Sequence, residues 1–149
     1  MTWRGRPVLA VVPARGGSKG IPRKNLCLVG GRSLVAHAAE IVKQLPWLDA
    51  AVLSTDDPEI VREGARCGLE APFLRPKELA GDNALGVDAW RHAWPMSETS
   101  HERQFDCSVL LQPTSPLRRP GDVEGALERM HNGNHSAAAT VSRARSRAA

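Results

Sequence analysis

Residues 8–25 read VLAVVPARGGSKGIPRKN, a short apolar run followed at once by a glycine-rich basic loop. The run Val8–Val12 is compact and mostly β-branched, which predicts a strand buried on both faces. Glycines let the backbone approach a ligand closely, and successive N–H groups form a nest for an anion. No acid interrupts the loop, which holds four cations: Arg15, Lys19, Arg23 and Lys24. The stretch therefore predicts an anion-binding loop after a central strand, with a merely solvated basic loop as the alternative.

Outside this stretch, helical and extended patterns alternate along the chain. Further strands are predicted at Ala51–Leu53, Ala71–Leu74, Ser108–Leu111 and Ala137–Val141. Helices are predicted from Ser33 to before Pro46, from an N-cap at Asp57 to before Gly68, over Gly86–Trp94 and over about Asp122–Met130. This alternation predicts an α/β fold of three layers, with a mostly parallel sheet and helices on both faces.

Three polar motifs follow predicted strands: PARGGSKGIPRKN, STDD and QPTSPLR. Ligands of open parallel sheets bind beyond the carboxyl ends of the strands. We therefore expect the three motifs to meet at one site. The glycine-rich loop fits neither GxxxxGK[ST] nor GxGxxG, because Ile21 follows Gly20 and because Gly16 and Gly17 are adjacent.

Composition limits the classes of function. The chain has 149 residues, 42% of them hydrophobic, which suits one domain with a real core. Its net charge of +4 is concentrated near both ends, and it has four Trp, two Phe and no Tyr. A small anion suits this distribution better than a nucleic acid, which needs a basic stripe with aromatic platforms. No apolar run approaches the length of a membrane span, so no membrane partner is expected.

The three cysteines are odd in number and form no CxxC pair, so neither a zinc site nor a disulfide framework is expected. The apolar run after Arg4 and Arg6 is too short for a signal peptide. We therefore predict a cytoplasmic protein.

In the order VVPARGGSKGIPRKN, LSTDDPEI, LRPKELAGD and LLQPTSPLR, the motifs resemble those of the acylneuraminate cytidylyltransferases, the CMP-sialic acid synthetases. The resemblance runs from about Val8 to Asp122. It implies a Rossmann-like nucleotidyltransferase fold that transfers CMP from CTP to a nonulosonic acid such as sialic acid and releases pyrophosphate. It also implies Mg²⁺ as cofactor and a homodimer.

The same resemblance implies roles for individual residues. Arg15 and Lys24 match catalytic residues that contact the triphosphate and the α-phosphate, and Gln112 matches the residue facing the acceptor sugar. The implied nucleotide-binding set is Ala14, Arg15, Gly16, Gly17, Ser18, Lys19, Lys24, Asn25 and Arg75. The implied substrate-binding set is Gln112, Ser115 and Arg118. No metal ligand is assigned, because Asp56 and Asp57 fit helix capping better; Asp82 fits a catalytic or a turn role.

Members of that family continue beyond the length of this chain, and their last third supplies the acidic metal ligands and the dimerisation element. We therefore expect residues 1–141 to be a nucleotide-binding domain whose C-terminal part is missing, and 142–149 to be a disordered basic tail. Two alternatives stay open. One is a catalytically inactive CTP-binding fragment or a subunit that needs a partner. The other is a related nucleotidyltransferase for another sugar acid.

Overall fold

The computed structural model describes residues 2–17 and 20–141, which form an α/β fold on a parallel sheet. The strands are β1 Val8–Pro13, β2 Leu28–Val29, β3 Arg32–Ser33, β4 Ala50–Ser54 and β5 Cys107–Leu110. The α-helices are α1 Leu34–Lys43, α2 Pro58–Arg66, α3 Gly86–His101 and α4 Pro120–Asn132. Two 3-10 helices span Lys24–Leu26 and Lys77–Leu79. The predicted α/β class with a parallel sheet is confirmed.

The chain divides into two compact units at the Leu117–Arg118 bond. The first unit holds the sheet and helices α1 to α3, and the second holds α4. The extent of the predicted domain, residues 1–141, stays a prediction. The predicted tail, 142–149, lies outside the described residues.

Strand β1 is the centre of the parallel sheet, whose order is β4-β1-β5. Pro13 pairs with Ser54 and Val11 with Leu110, so the three strands end close to one another. The segments that follow them therefore start at one edge of the sheet, as the sequence predicts.

Alternate residues of β1 are buried on opposite faces of the sheet. Leu9 and Val11 join a buried cluster that includes Ala93 of α3. Val8, Ala10 and Val12 are also fully buried, and by the two-residue period of a strand they face the opposite side. Helices α1 and α3 both contact β1. The first unit thus has the predicted three layers, with the sheet in the middle.

Helices α1 and α2 begin at the predicted caps. The Ser33 hydroxyl accepts a hydrogen bond from the Ala36 N–H at 3.0 Å. The Asp57 carboxylate accepts one from the Glu59 N–H at 2.8 Å, and Pro58 occupies the first helical position. Gly68 follows the end of α2 with a φ of 83°, a conformation that glycine adopts without strain.

Two predicted strands are absent from the described residues. Within Ala71–Leu74, Pro72 has no N–H for a strand ladder, and pairing is limited to one bridge between Glu70 and Val52. Ala137–Val141 has no strand structure and is exposed, which agrees with the low β-propensity of its three alanines.

Two other features differ from the prediction. Helix α3 continues seven residues past Trp94 and through Pro95, because its buried stripe of Ala89, Ala93 and Ser97 continues on the same face. Strands β2 and β3 form a hairpin that was not predicted. Its turn residues, Gly30 and Gly31, have φ values of 60° and 81°, which only glycine adopts readily.

Candidate functional site

A cleft of about 180 Å³ opens at the carboxyl ends of β1 and β5. It is lined by Pro13, Arg15, Gly17, Lys24, Asn25, Arg75, Gly86, Leu110, Gln112, Pro113 and Thr114. Six of the predicted site residues therefore meet there: Arg15, Gly17, Lys24, Asn25, Arg75 and Gln112. Pockets for whole ligands are usually about 300–1,000 Å³, so this cleft encloses only part of a ligand of nucleotide size.

Arg15 follows the end of β1 by two residues and lines the cleft. Its Nη1 lies 2.8 Å from Asp82 Oδ1 and 3.5 Å from the Ala80 carbonyl oxygen. The side chains of Arg15 and Asp82 are 29% and 45% exposed. An ion pair this exposed contributes little to stability, so a stronger anion can replace Asp82 as the partner of Arg15.

The backbone on both sides of Arg15 is held by hydrogen bonds to residues at the end of β4 and just after it. The Ala14 N–H donates to the Ser54 carbonyl at 2.9 Å, and Ala14 itself is buried. The Gly16 N–H donates to Asp56 Oδ1 at 2.8 Å. A Cβ on Gly16 would lie 2.6 Å from Asp57 Oδ2, so this position accepts only glycine without a shift of the loop or the acid.

Lys24 and Asn25 lie in the 3-10 helix Lys24–Leu26, beside the loop that begins at Arg15. Asn25 is 6% exposed, and its Nδ2 donates to the Arg15 carbonyl at 3.1 Å. Asn25 therefore fixes the backbone that carries the Arg15 side chain. Lys24 is half-buried and contributes its cation to the cleft wall.

Arg75 is buried, at 7% exposed, in the cleft wall. Its Nε donates to Ser54 Oγ at 3.1 Å, its Nη2 to the Ser54 carbonyl at 2.9 Å, and its Nη1 to the Leu79 carbonyl at 3.4 Å. Burial lowers the pKa of Arg75, against the charge of Asp56, which raises it. Three of the five N–H groups of the guanidinium are thus engaged, leaving at most two for a ligand.

Asp57 is engaged as the cap of α2, as the sequence predicts, and also in an ion pair. Burial raises its pKa, but hydrogen bonds from the Glu59 N–H and from Arg23 outweigh that effect and lower the pKa overall. Among the described residues, no group of three His, Cys, Asp or Glu side chains is arranged to hold a metal ion.

The remaining predicted residues fall outside the cleft wall or outside the described residues. Ser115 is exposed, and its N–H donates to the Gln112 carbonyl at 3.2 Å, which closes a turn. Arg118 belongs to the second unit, and burial lowers its pKa. Ser18 and Lys19 lie outside the described residues.

Sequence reasoning missed three parts of the cleft. Gly86 starts α3 at the cleft, and the N-terminal end of a helix favours negative charge. Pro113 and Thr114 lie within the motif QPTSPLR, whose neighbouring residues were predicted instead. The contact between Asp82 and Arg15 joins residues 67 positions apart, and no sequence spacing indicates it.

In the part of the chain that the structure describes, no helix is both long enough and apolar enough to cross a bilayer.

A basic glycine-rich loop follows the central strand of a parallel sheet, at the edge where ligands of open α/β sheets bind, so the fold and the cleft define an α/β protein with a ligand site at this edge. The chain belongs to the cytidylyltransferase family, whose sequence profile matches residues 9–148. This match confirms the family resemblance found in the motifs.

Two curated relatives show the extent of the similarity. The pseudaminic acid cytidylyltransferase of Campylobacter jejuni subsp. jejuni (strain 81-176) is 36% identical over 121 residues. The CMP-N,N'-diacetyllegionaminic acid synthase of Legionella pneumophila (strain Philadelphia 1) is 36% identical over 125 residues. Each match covers 81% of this chain and 52% of the relative. The chain thus spans about half the length of the curated relatives it matches.

Among solved structures, the chain is similar to CMP:2-keto-3-deoxy-manno-octonic acid synthetase complexed with CTP. The two share 27% sequence identity with a TM-score of 0.69, over 86% of this chain and 48% of the other. The likeness confirms the Rossmann-like fold of the cytidylyltransferases for this chain.

Proposed function

We propose that this chain binds CTP and carries the nucleotide site of an enzyme that transfers CMP to a nonulosonic acid. The observation that carries the proposal is the cleft at the carboxyl ends of β1 and β5, which brings together the cations Arg15, Lys24 and Arg75. The cations Arg15 and Lys24 suit the phosphates of a nucleoside triphosphate, Arg75 keeps at most two N–H groups for the base, and membership of the cytidylyltransferase family favours cytidine as the nucleoside.

The proposed reaction is an in-line displacement at the α-phosphorus of CTP. The anomeric hydroxyl of the sugar acid attacks, a new phosphorus–oxygen bond forms, and the bond to the β-phosphate oxygen breaks. Pyrophosphate leaves, and the hydroxyl proton passes to solvent or base. Such a transfer needs mostly positioning and neutralisation of charge from the protein.

Each cation has a proposed part in that chemistry. Arg15 binds the outer phosphates after it exchanges Asp82 for them. Lys24 neutralises charge at the α-phosphate as the hydroxyl attacks. Arg75 offers its remaining N–H groups to the cytosine, from a position fixed by Ser54 and Leu79. Gln112, which also lines the cleft, is proposed to face the acceptor sugar.

The acceptor is proposed only as a class, the nonulosonic and related 2-keto sugar acids. The relatives are named for pseudaminic and legionaminic acids, and the solved structure for an octonic acid. Sialic acid, the acceptor implied by the sequence motifs, stays one candidate within that class. The Mg²⁺ cofactor and the cytoplasmic location also stay predictions, and the oligomeric state stays open.

The proposal is tested by titrating CTP into the purified 149-residue chain in a calorimeter, with GTP as the matched nucleotide. We expect selective binding of CTP. Replacing Lys24→Gln should weaken binding about tenfold or more, because a charge-assisted contact to phosphate is lost. The control is Lys43→Gln, which removes the same charge from the last turn of α1. Equal affinities for CTP and GTP, or an unaffected Lys24→Gln variant, would contradict the proposal.

Turnover is measured separately, by pyrophosphate release in the presence of Mg²⁺ with a panel of nonulosonic acids. Pyrophosphate that depends on one acid identifies the acceptor. CTP binding without turnover favours the alternative of a CTP-binding module that needs a partner.

A further inference from the structure

Two adjacent acids hold the two ends of the glycine-rich loop. At the start of the loop, Asp56 Oδ1 accepts the Gly16 N–H at 2.8 Å. At its end, Asp57 Oδ2 lies 2.6 Å from Arg23 Nη2. Both acids lie in the segment that follows β4. The glycine-rich loop, which begins after β1, is therefore fixed at both ends to the segment that follows the neighbouring strand.

Arg23 is a basic residue of the loop whose side chain pairs with two acids at the start of α2. Its Nη2 lies 2.6 Å from Asp57 Oδ2 and 3.1 Å from Glu59 Oε2, at the start of α2. Its backbone is left-handed, with a φ of 51°, which an arginine keeps only where its surroundings hold it. Lys24 follows immediately and lines the cleft.

We propose that Arg23 is a positioning residue that, by pairing with Asp57, fixes the end of the glycine-rich loop and directs Lys24 toward the cleft. The inference rests on the proposed function, since it assigns to this pair an effect on the binding of the CTP phosphates. Arg23 then acts without touching the nucleotide. The competing role is that of a further phosphate ligand, in which Arg23 would leave Asp57 when CTP binds.

Charge and packing support the pairing. The hydrogen bond that Arg23 donates to Asp57 raises the pKa of Arg23 and helps to lower the pKa of Asp57, so the pairing favours the ionised form of both partners. The absence of a side chain at Gly16 lets the loop backbone lie directly against Asp57. The contacts of Asp57 with Gly16, Arg23 and the Glu59 N–H leave this carboxylate little freedom to move.

The two roles predict opposite results for Asp57→Asn. Asparagine is as good an N-cap as aspartate, so α2 keeps its first hydrogen bond while the charge that pairs with Arg23 is lost. If Arg23 positions the loop, CTP binding should weaken about fivefold, the scale of one exposed ion pair. If Arg23 is a phosphate ligand, the same change releases it and removes a nearby negative charge, so CTP should bind more tightly.

The full experiment measures CTP affinity for Arg23→Gln, Asp57→Asn and the double variant. Positioning predicts that both single variants weaken binding and that the double variant is no weaker than either, because they remove one interaction. Arg23→Lys keeps the charge and should recover part of the affinity. The matched control is Arg32→Gln with Glu40→Gln, a surface pair on β3 and α1 that should change nothing. Tighter binding by Asp57→Asn would overturn the proposal.

A second measurement does not depend on CTP. The amides of Leu26 and Cys27 donate to the carbonyls of Arg23 and Lys24 at 2.9 and 3.0 Å. Their hydrogen exchange, followed by NMR in the ligand-free chain, should accelerate in Arg23→Gln and Asp57→Asn alike. If the unaltered chain binds no CTP, the proposed function fails. The hydrogen-exchange rates then show whether the Arg23–Asp57 pair fixes the loop. Unchanged rates in both variants overturn the proposal.

Discussion

Arg15 and Arg75 both line the cleft, but their surroundings differ. Arg75 is 7% exposed, and its guanidinium donates to Ser54 and Leu79. The Arg15 side chain is 29% exposed, and its main partner is the carboxylate of Asp82, itself 45% exposed. One arginine is therefore built into the fold, whereas the other is held by a contact that a ligand can replace. The two arginines thus place the same charge in different surroundings, one fixed by three hydrogen bonds to the framework and one held mainly by a single exposed ion pair.

The largest expected effect is that of Arg75→Ala. The change leaves a cavity and removes three hydrogen bonds from a buried group, so we expect stability to fall by about 2–3 kcal/mol. Urea unfolding followed by circular dichroism measures this loss. The control is Arg91→Ala on the exposed side of α3, where the side chain is 78% exposed and little change is expected. Equal stability of the two variants would mean that Arg75 is not part of the framework.

Arg15→Gln should leave the stability nearly unchanged and weaken CTP binding. Stability should change by less than about 0.5 kcal/mol, because an exposed ion pair contributes little. CTP affinity should fall roughly ten- to thirtyfold, because a charge-assisted contact to phosphate is lost. The proposed difference between the two arginines would be contradicted if Arg15→Gln unfolds as readily as Arg75→Ala, or if its affinity for CTP matches that of the unaltered chain. Calorimetry on samples with matched unfolding curves separates these outcomes.

This contrast marks the limit of sequence-based prediction for this chain. The strand runs at Val8–Val12 and Ala51–Leu53, and the caps at Ser33 and Asp57, were predicted because their signals are local: burial patterns and the residues that begin helices. The framework role of Arg75 was not predicted, since its partner Ser54 lies 21 residues away. The sequence places a cation at the site, but only the packing around it determines whether that cation can move.

The secondary structure shows the same limit. Ala71–Leu74 was predicted as a strand, yet Pro72 has no N–H for a strand ladder, and the contacts with the β4 segment lie on either side of the stretch, at Glu70 and Arg75. The turn of the β2–β3 hairpin did carry a local signal, the adjacent Gly30 and Gly31. That hairpin was predictable from the sequence and was missed, whereas the pairing at Arg75 was not predictable.

Asp82→Asn should have the smallest effect, and its sign is informative. If Asp82 only occupies Arg15 until a nucleotide arrives, removing its charge takes away a competitor and a repulsive charge. CTP should then bind about two- to fivefold more tightly, the scale of an exposed ion pair. The matched control is Asp106→Asn, an exposed acid at the amino end of β5, opposite to the cleft.

Calorimetry at low and high salt sharpens the result. The gain in CTP affinity caused by Asp82→Asn should shrink as the salt concentration rises, because exposed charges are screened over a Debye length of about 10 Å at 0.1 M. Weaker binding by Asp82→Asn would instead mean that this carboxylate itself contacts the nucleotide or a cation bound to it. Arg15 and Asp82 would then act as a fixed pair, and Arg15 would resemble Arg75 after all, as a side chain whose partners stay in place when the ligand binds.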